Sequence, residues 1–273
     1  MSEHWTLDDI PWERFDRSKV DPELLKAVKA ASLVEGNAAE YVGYLRRVFE
    51  GDAKTIALFE RWGDEEVQHG KALGRWAQLV DPSFDFDAAL TAFKQGYHPE
   101  HFDTGVARRG SRRGEMISRC VVETGTSSYY SAMKDSAQEP VLKEIATHIA
   151  ADEYQHYRLF YETLQRQAEA PLPLWKRIYV ALGRASEAED DELGYAFYCG
   201  NTPPGEIGKT PYDRKAAIRD YRRPIVAMYR KHHVKKAAQM IALAVGTDPK
   251  GWFARFASWL VWSYMSRQTR SAA

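Results

Sequence analysis

Residues 22–80 and 110–168 carry the same pattern twice: a long run of apolar residues at helical spacing, a short break, and a second long run. Recurrence at i, i+3, i+4 and i+7 commits a segment to an amphipathic helix. Two such runs joined by a few residues fold back as an antiparallel hairpin. Asp21-Pro22-Glu23 supplies an N-cap and a proline at the first helical position. Leu24, Leu25, Val28, Ala31, Glu35, Ala38, Val42 and Leu45 then mark one stripe, predicting a helix to about Phe49. Gly51-Asp52 breaks the chain before a second helix from about Ala53 to Val80. Gln138-Glu139-Pro140 plays the same part between helices expected at about 110–136 and 141–168. A shorter helix near 85–96 leads into a loop with His98, Pro99 and His101. No segment alternates in the manner of a strand, so the expected fold class is all-α, a four-helix bundle with additional C-terminal helices.

The C-terminal third is less regular. Leu174 to Ala188 reads as a helix, and the acidic run Glu187 to Glu192 reads as a solvated face. Cys199 to Pro211, rich in Gly and Pro, reads as a loop. Two further helices follow, about Asp213 to Val245 with a kink at Pro224, and Pro249 to Arg267. The expected organisation is a bundle with its N-terminal arm over 1–170, and C-terminal helices over 171–273 packed on it, within the same domain.

Composition excludes several functions. Thirty-eight Lys and Arg balance 38 Asp and Glu, giving no general basis for phosphate binding, so no nucleic-acid partner is expected. Two cysteines, Cys120 and Cys199, rule out a disulfide scaffold and fit a reducing compartment. The N-terminus lacks the basic and apolar regions of a secretory signal, and Phe256 to Met265 is too short to span a bilayer. A soluble, cytoplasmic protein with no transmembrane segment is the expectation.

The chemistry lies in two E-x-x-H motifs, Glu66-Val-Gln-His69 and Glu153-Tyr-Gln-His156. On a helix, positions i and i+3 share a face, so a carboxylate and an imidazole can converge on one metal. Glu35 lies 16 residues before Gly51 and Glu66 lies 15 after it. Glu123 lies 15 before Gln138 and Glu153 lies 15 after. With a rise of about 1.5 Å per residue, each hairpin brings a lone glutamate level with an E-x-x-H. Glu35 and Glu123 sit among Ser32-Leu33-Val34 and Cys120-Val121-Val122, where an acid must be paired, protonated or metal-bound to offset its desolvation. The alternative is a set of salt-bridged core groups, but six matched residues favour metal. Glu35, Glu66, His69, Glu123, Glu153 and His156 form the donor set of ferritin-like di-iron or di-manganese bundles.

Longer strings around these residues resemble the soluble acyl-acyl-carrier-protein desaturase family of the ferritin-like di-iron superfamily. Asp9-Ile-Pro-Trp-Glu-Arg-Phe15 resembles its N-terminal lead-in, and Trp62-Gly-Asp-Glu-Glu-Val-Gln-His-Gly70 its W-x-x-E-E-x-x-H-G motif. Ala151-Asp-Glu-Tyr-Gln-His156 resembles its A-D-E-x-x-H, and Glu123-Thr-Gly-Thr126 its E-x-x-T. The resemblance covers about residues 8–168. It implies a ferritin-like bundle holding two Fe ions, or Mn in their place. Glu66 and Glu153 would be bridging ligands, Glu35 and Glu123 terminal ligands, and His69 and His156 would give one nitrogen to each metal. It implies O2-dependent desaturation of an acyl-carrier-protein thioester, a ferredoxin-type electron donor and a homodimer. Thr126 would be a catalytic proton relay, against the alternative of a hydroxyl bonded to its own i−4 carbonyl. Asp152 and Glu65 are candidates to orient a ligand histidine.

The chain departs from the family where Gly36 follows Glu35 in place of a second acid, and its last hundred residues match none of the family's motifs. Other readings are a di-iron oxidase or oxygenase of a different substrate, and a ferritin-like iron-binding or storage protein. Arg108, Arg109, Arg112 and Arg113 could dock an acidic carrier protein or ferredoxin, or be a solvated helix start. The aromatic stripe Trp252, Phe253, Phe256, Trp259, Leu260, Trp262, Tyr264 and Met265 reads first as bundle packing, with a membrane-surface or dimer helix as the alternative. Tyr130 and Tyr157 read as aromatic walls of the site.

Overall fold

The computed structural model describes residues 4–187 and 191–271; none of these lies in a strand, and the fold is an all-α helical bundle. The chain divides into two compact units, each built from three segments.

The first unit takes Met1–Thr104, Ser136–His148 and Glu189–Ile225. Its helices are α1 (Pro22–Gly36), α2 (Ala38–Val48), α3 (Ala53–Val80), α4 (Phe86–Gly96) and α8 (Asp191–Asn201). It also holds the first turns of α6 (Pro140–Arg166) and most of α9 (Arg214–Met228). Asp21, Asp52 and Asp85 cap α1, α3 and α4 by accepting hydrogen bonds from backbone amides of the first turn. The helix expected to run to Phe49 instead breaks at Asn37. There the amide of Asn37 turns to the carbonyls of Val34 and Glu35, in a tightened last turn. Gly36 and Asn37 are residues that end helices readily, and a close crossing lies at the same place. A Cβ on Gly70 of α3 would stand 2.6 Å from the Gly36 nitrogen and 2.8 Å from the Ser32 carbonyl oxygen, so α1 closes with its backbone laid on a glycine. Gly63 and Gly74 continue that face, against Val42 and Phe86. The glycine that departs from the family pattern is thus a packing surface.

Buried charges in this unit are matched. Glu139 accepts hydrogen bonds from the Trp76 indole, the Asp16 amide and the Leu142 amide that opens α6. Lys29 reaches Asp81 at 2.6 Å, and this bond, with that from Ser83, holds the Asp81 carboxyl down at about 2. Part of the acidic run proves structural. Glu192 is buried and accepts the Tyr41 hydroxyl at 2.7 Å, and the run leads into α8, a helix that the sequence pattern did not announce. Residues 188–190 lie outside the described residues.

The second unit takes Gly105–Asp135, Ile149–Ala188 and Val226–Ala273. It contains α5 (Arg112–Ser136) up to Asp135, the rest of α6, α7 (Leu174–Ser186), α10 (Lys231–Ala244) and α11 (Trp252–Ser271). Met116, Ile117, Tyr130, Met133, Ile149 and Phe160 are fully buried along α5 and α6. The kink expected at Pro224 falls later. α9 runs through the proline, and the chain breaks at Tyr229 and Arg230, where the His233 ring accepts the Arg230 amide at 3.0 Å and caps α10. Arg109 and Arg108 pair with Glu187, and Arg113 bonds the Glu169 and Gln167 carbonyls. The sequence reading of Glu187 as a solvated face gives way to these contacts, and Arg108, Arg109 and Arg113 of the arginine run have internal partners. The aromatic stripe of α11 also departs from expectation. Ala254 and Ser258 are its buried positions, while Trp252, Phe256, Trp259, Leu260 and Tyr264 are exposed. Small residues permit the closer approach to α10, so the large rings are left outside.

Asp81→Asn should lower stability by about 2 kcal/mol at pH 7, because it leaves the Lys29 ammonium buried against an uncharged amide. A carboxyl depressed in the folded state stabilises above its ordinary pKa of 3.8, and that contribution is lost as pH falls through about 2. Urea unfolding of wild type and variant should therefore converge between pH 4 and pH 2.

Candidate metal centre

Glu35 is the next-to-last residue of α1, and Glu66 and His69 lie one turn apart on α3. All three are buried. The Gly70 crossing brings the end of α1 against α3 at the residue after His69, so the backbone contact at the end of α1 also sets Glu35 beside the E-x-x-H. The N-terminal arm covers this group. The Trp5 ring stacks on His69 with centroids 5.9 Å apart and on His148 at 5.0 Å, and Gln68 donates to the Trp5 carbonyl at 2.7 Å. Sequence reasoning missed Trp5, since nothing in its local pattern ties it to a motif more than sixty residues away.

On α5 and α6 the matching group is Glu123, Glu153 and His156, again all buried. His156 Nδ1 lies 3.8 Å from Glu123 Oε2 and 4.0 Å from Glu153 Oε2. The Thr126 hydroxyl lies 3.4 Å from the Val122 carbonyl and 3.3 Å from the Glu123 carbonyl, but its shortest contact is to Glu153 Oε2. A hydroxyl has one proton, and a carboxylate is the stronger acceptor, so Thr126 donates to Glu153. Cys120, one turn before Glu123, is buried, and burial with the neighbouring Glu123 charge raises its thiol pKa far above the ordinary value. It stays a thiol, which leaves a purely carboxylate and imidazole donor set.

Each unit thus carries a buried set of two carboxylates and an imidazole, Glu35, Glu66 and His69 in the first and Glu123, Glu153 and His156 in the second. Hard oxygen with imidazole nitrogen suits iron or manganese, and such groups could hold a metal ion.

Other sequence candidates have the following partners. Glu65 accepts a hydrogen bond from Arg61 at 2.9 Å on the same helix. Tyr157 gives its hydroxyl to the Met240 carbonyl at 2.7 Å, holding α10 on α6, and burial raises its pKa well above the ordinary phenol value. Tyr130 is buried in an edge contact with Tyr129 at 4.9 Å.

A third group, Asp135, His232 and His233, was not anticipated. It borders a cavity of about 330 Å3 lined by Ser127, Ser131, Lys134, Tyr154 and Lys236 among others. His233 Nδ1 accepts the Arg230 amide, so in the neutral ring the proton sits on Nε2, 3.0 Å from Asp135 Oδ2. A metal on that nitrogen would have to displace the proton and break the α10 cap, so these residues form a hydrogen-bonded brace. No family model matches the chain, and no curated protein matches its sequence.

Gly70→Ala should force α1 and α3 apart, costing about 1–3 kcal/mol and lowering bound metal per chain as read by elemental analysis. Gly125→Ala on α5, where a Cβ meets nothing within 4 Å, should raise stability by about 0.5–1 kcal/mol and leave metal content unchanged.

Proposed function

We propose that this protein is a di-iron, O2-dependent oxidoreductase that desaturates a saturated acyl chain presented as an acyl-carrier-protein thioester. The observation that carries the reading is the buried set of two carboxylates and an imidazole in each unit, Glu35, Glu66 and His69 in one and Glu123, Glu153 and His156 in the other. Glu35 and His69 would complete one metal, and Glu123 and His156 the other. A reduced di-iron pair supplies the O2 activation and hydrogen removal that no side chain of this protein can perform. In balance, one O2, two electrons and two protons convert a –CH2–CH2– unit to –CH=CH– and two waters. The electrons come from a ferredoxin-type donor that a separate reductase re-reduces, since the sequence carries no nicotinamide or flavin fingerprint.

The chain's own residues prepare the site. Thr126 keeps its proton on Glu153 Oε2, fixing one face of that carboxylate and offering a proton at that atom. Trp5 shields His69 from water. Burial of all six candidate ligands keeps the local dielectric low, which strengthens their hold on a cation.

A cytoplasmic location agrees with two free, buried cysteines, and no described helix is long and apolar enough to cross a membrane. The homodimer implied by the family resemblance belongs to the same proposal. One observation favours a second reading, a di-iron oxidase with a differently tethered substrate. Arg109 and Arg113 are engaged with Glu187 and with Glu169 and Gln167, which reduces the basic surface left for an acidic carrier protein.

Purified protein should hold about two iron ions per chain, and Glu153→Ala should lose most of them. An unchanged load in that variant would exclude the assignment. With iron bound, acyl-carrier-protein thioesters, ferredoxin, reductase and O2 should yield a monoene. Oxygen uptake indifferent to every acyl thioester would rule out desaturation and leave the second reading. Thr126→Val should retain iron while slowing turnover about tenfold or more, and Thr126→Ser should restore it.

A further inference from the structure

A buried serine or threonine on a helix ordinarily turns its hydroxyl back to a carbonyl one turn earlier. On α5 Thr124 does so to Cys120 at 2.7 Å, and Ser127 to Thr124 at 3.2 Å. Ser128, only 6% exposed, does not. Its hydroxyl lies near that of Tyr229 without closing a hydrogen bond of ordinary geometry, and an open hydroxyl in the interior costs free energy. Ser128 instead lines the cavity of about 330 Å3 that α5, α6 and α10 wall off within the second unit. That volume falls at the small end of the range for small-molecule sites, about 300–1,000 Å3.

The walls have two characters. Ser128, Ser131 and Lys134 recur at a spacing of three on α5 and give one side hydroxyls and an ammonium. Ala237 and Met240 of α10, with Tyr154 of α6, give the other side an apolar surface, and Lys236 borders it.

Charge selects the ligand class. Asp135 is the acid of this lining, and the Nε2 atoms of His232 and His233 stand 3.2 and 3.0 Å from its Oδ2, so its charge is answered within the wall. Lys134 and Lys236 come to the cavity from two different helices. Lys134 acts on Asp135 at a distance beyond an ion pair, and Lys236 stands 5.6 Å over the Tyr154 ring. Among the described residues neither ammonium has a hydrogen bond or an ion pair. A cation would meet two lysines, and His233, with one nitrogen on the Arg230 amide and the other on Asp135, has none to give it. An anion with an apolar body matches both walls.

We propose that this cavity binds a small organic anion, its oxyanion head held by Lys134, Lys236 and the serine hydroxyls of α5, its body against Ala237, Met240 and the Tyr154 ring. The inference does not rest on the metal centre or on the reaction assigned to it.

Isothermal titration of the full chain tests it. Phenyl phosphate should bind saturably with a dissociation constant of about 1 mM or below, and should raise the melting temperature as its concentration rises. Phenol, the same body without the charge, should bind at least about tenfold more weakly. Lys134→Met/Lys236→Met should weaken phenyl phosphate at least about tenfold with helical circular dichroism unchanged, and Ser128→Ala about threefold or more. Ser131→Leu, which fills the cavity, should remove binding. No saturable heat from phenyl phosphate, inorganic phosphate or benzoate at up to about 10 mM would overturn the proposal. Phenol binding as tightly as phenyl phosphate would make the cavity an apolar pocket and overturn it as well. Anion binding that the double lysine variant leaves unchanged would place the anion elsewhere, the metal centre included, with the same consequence.

Discussion

A buried pair of carboxyls beside an imidazole, present once in each unit, is the constraint on which much of this structure depends. Glu35 and Glu66 are buried with His69 in the first unit, and Glu123 and Glu153 with His156 in the second. Acids in a dry interior are tolerated only when donors, protons or cations sit beside them. Much local detail follows from holding these groups in place: the glycine crossing at Gly70 and Gly36, the indole stacked on His69, and the hydroxyl of Thr126 on Glu153.

The chain's other buried charges are of another kind. Glu139 is a structural acid, holding the N-terminal arm, a tryptophan and the start of α6 together through three donors. Lys29 with Asp81, Tyr41 with Glu192, and Arg108 and Arg109 with Glu187 fix neighbouring elements. A carboxylate surrounded by hydrogen-bond donors or cations braces a fold. Carboxylates gathered with an imidazole could hold a metal ion. The contrast is visible within one molecule and separates the two uses of a buried acid without reference to any relative.

Helix periodicity made α3 legible to the residue, because Asp52 caps it and its apolar stripe is unbroken to Val80. The break between α1 and α2 was not legible. Gly36-Asn37 is a helix-stop signal that the unbroken apolar stripe on either side masked, and the break coincides with the backbone of Gly36 resting on Gly70. Proline was a poor guide at 224, where α9 absorbs it, and the true break at Arg230 depends on a histidine ring that caps the next helix. The arginine run looked like a docking patch because its partners, Glu187 and the carbonyls of Gln167 and Glu169, are more than fifty residues away.

Local chemistry, then, is what the amino-acid sequence determined by itself: helices by their spacing, the two E-x-x-H faces, and the lone glutamates level with them, all set by a period of 3.6 residues that needs no partner to be read. Tertiary structure decided which charged side chains are consumed in ion pairs, which glycine a helix end rests on, and which side of α11 faces outward. The stripe of α11 is equally apolar whether it points in or out. The structure buries Ala254 and Ser258 and leaves Trp252, Phe256 and Trp259 outside, and which face is buried is a property of two packed surfaces rather than of one.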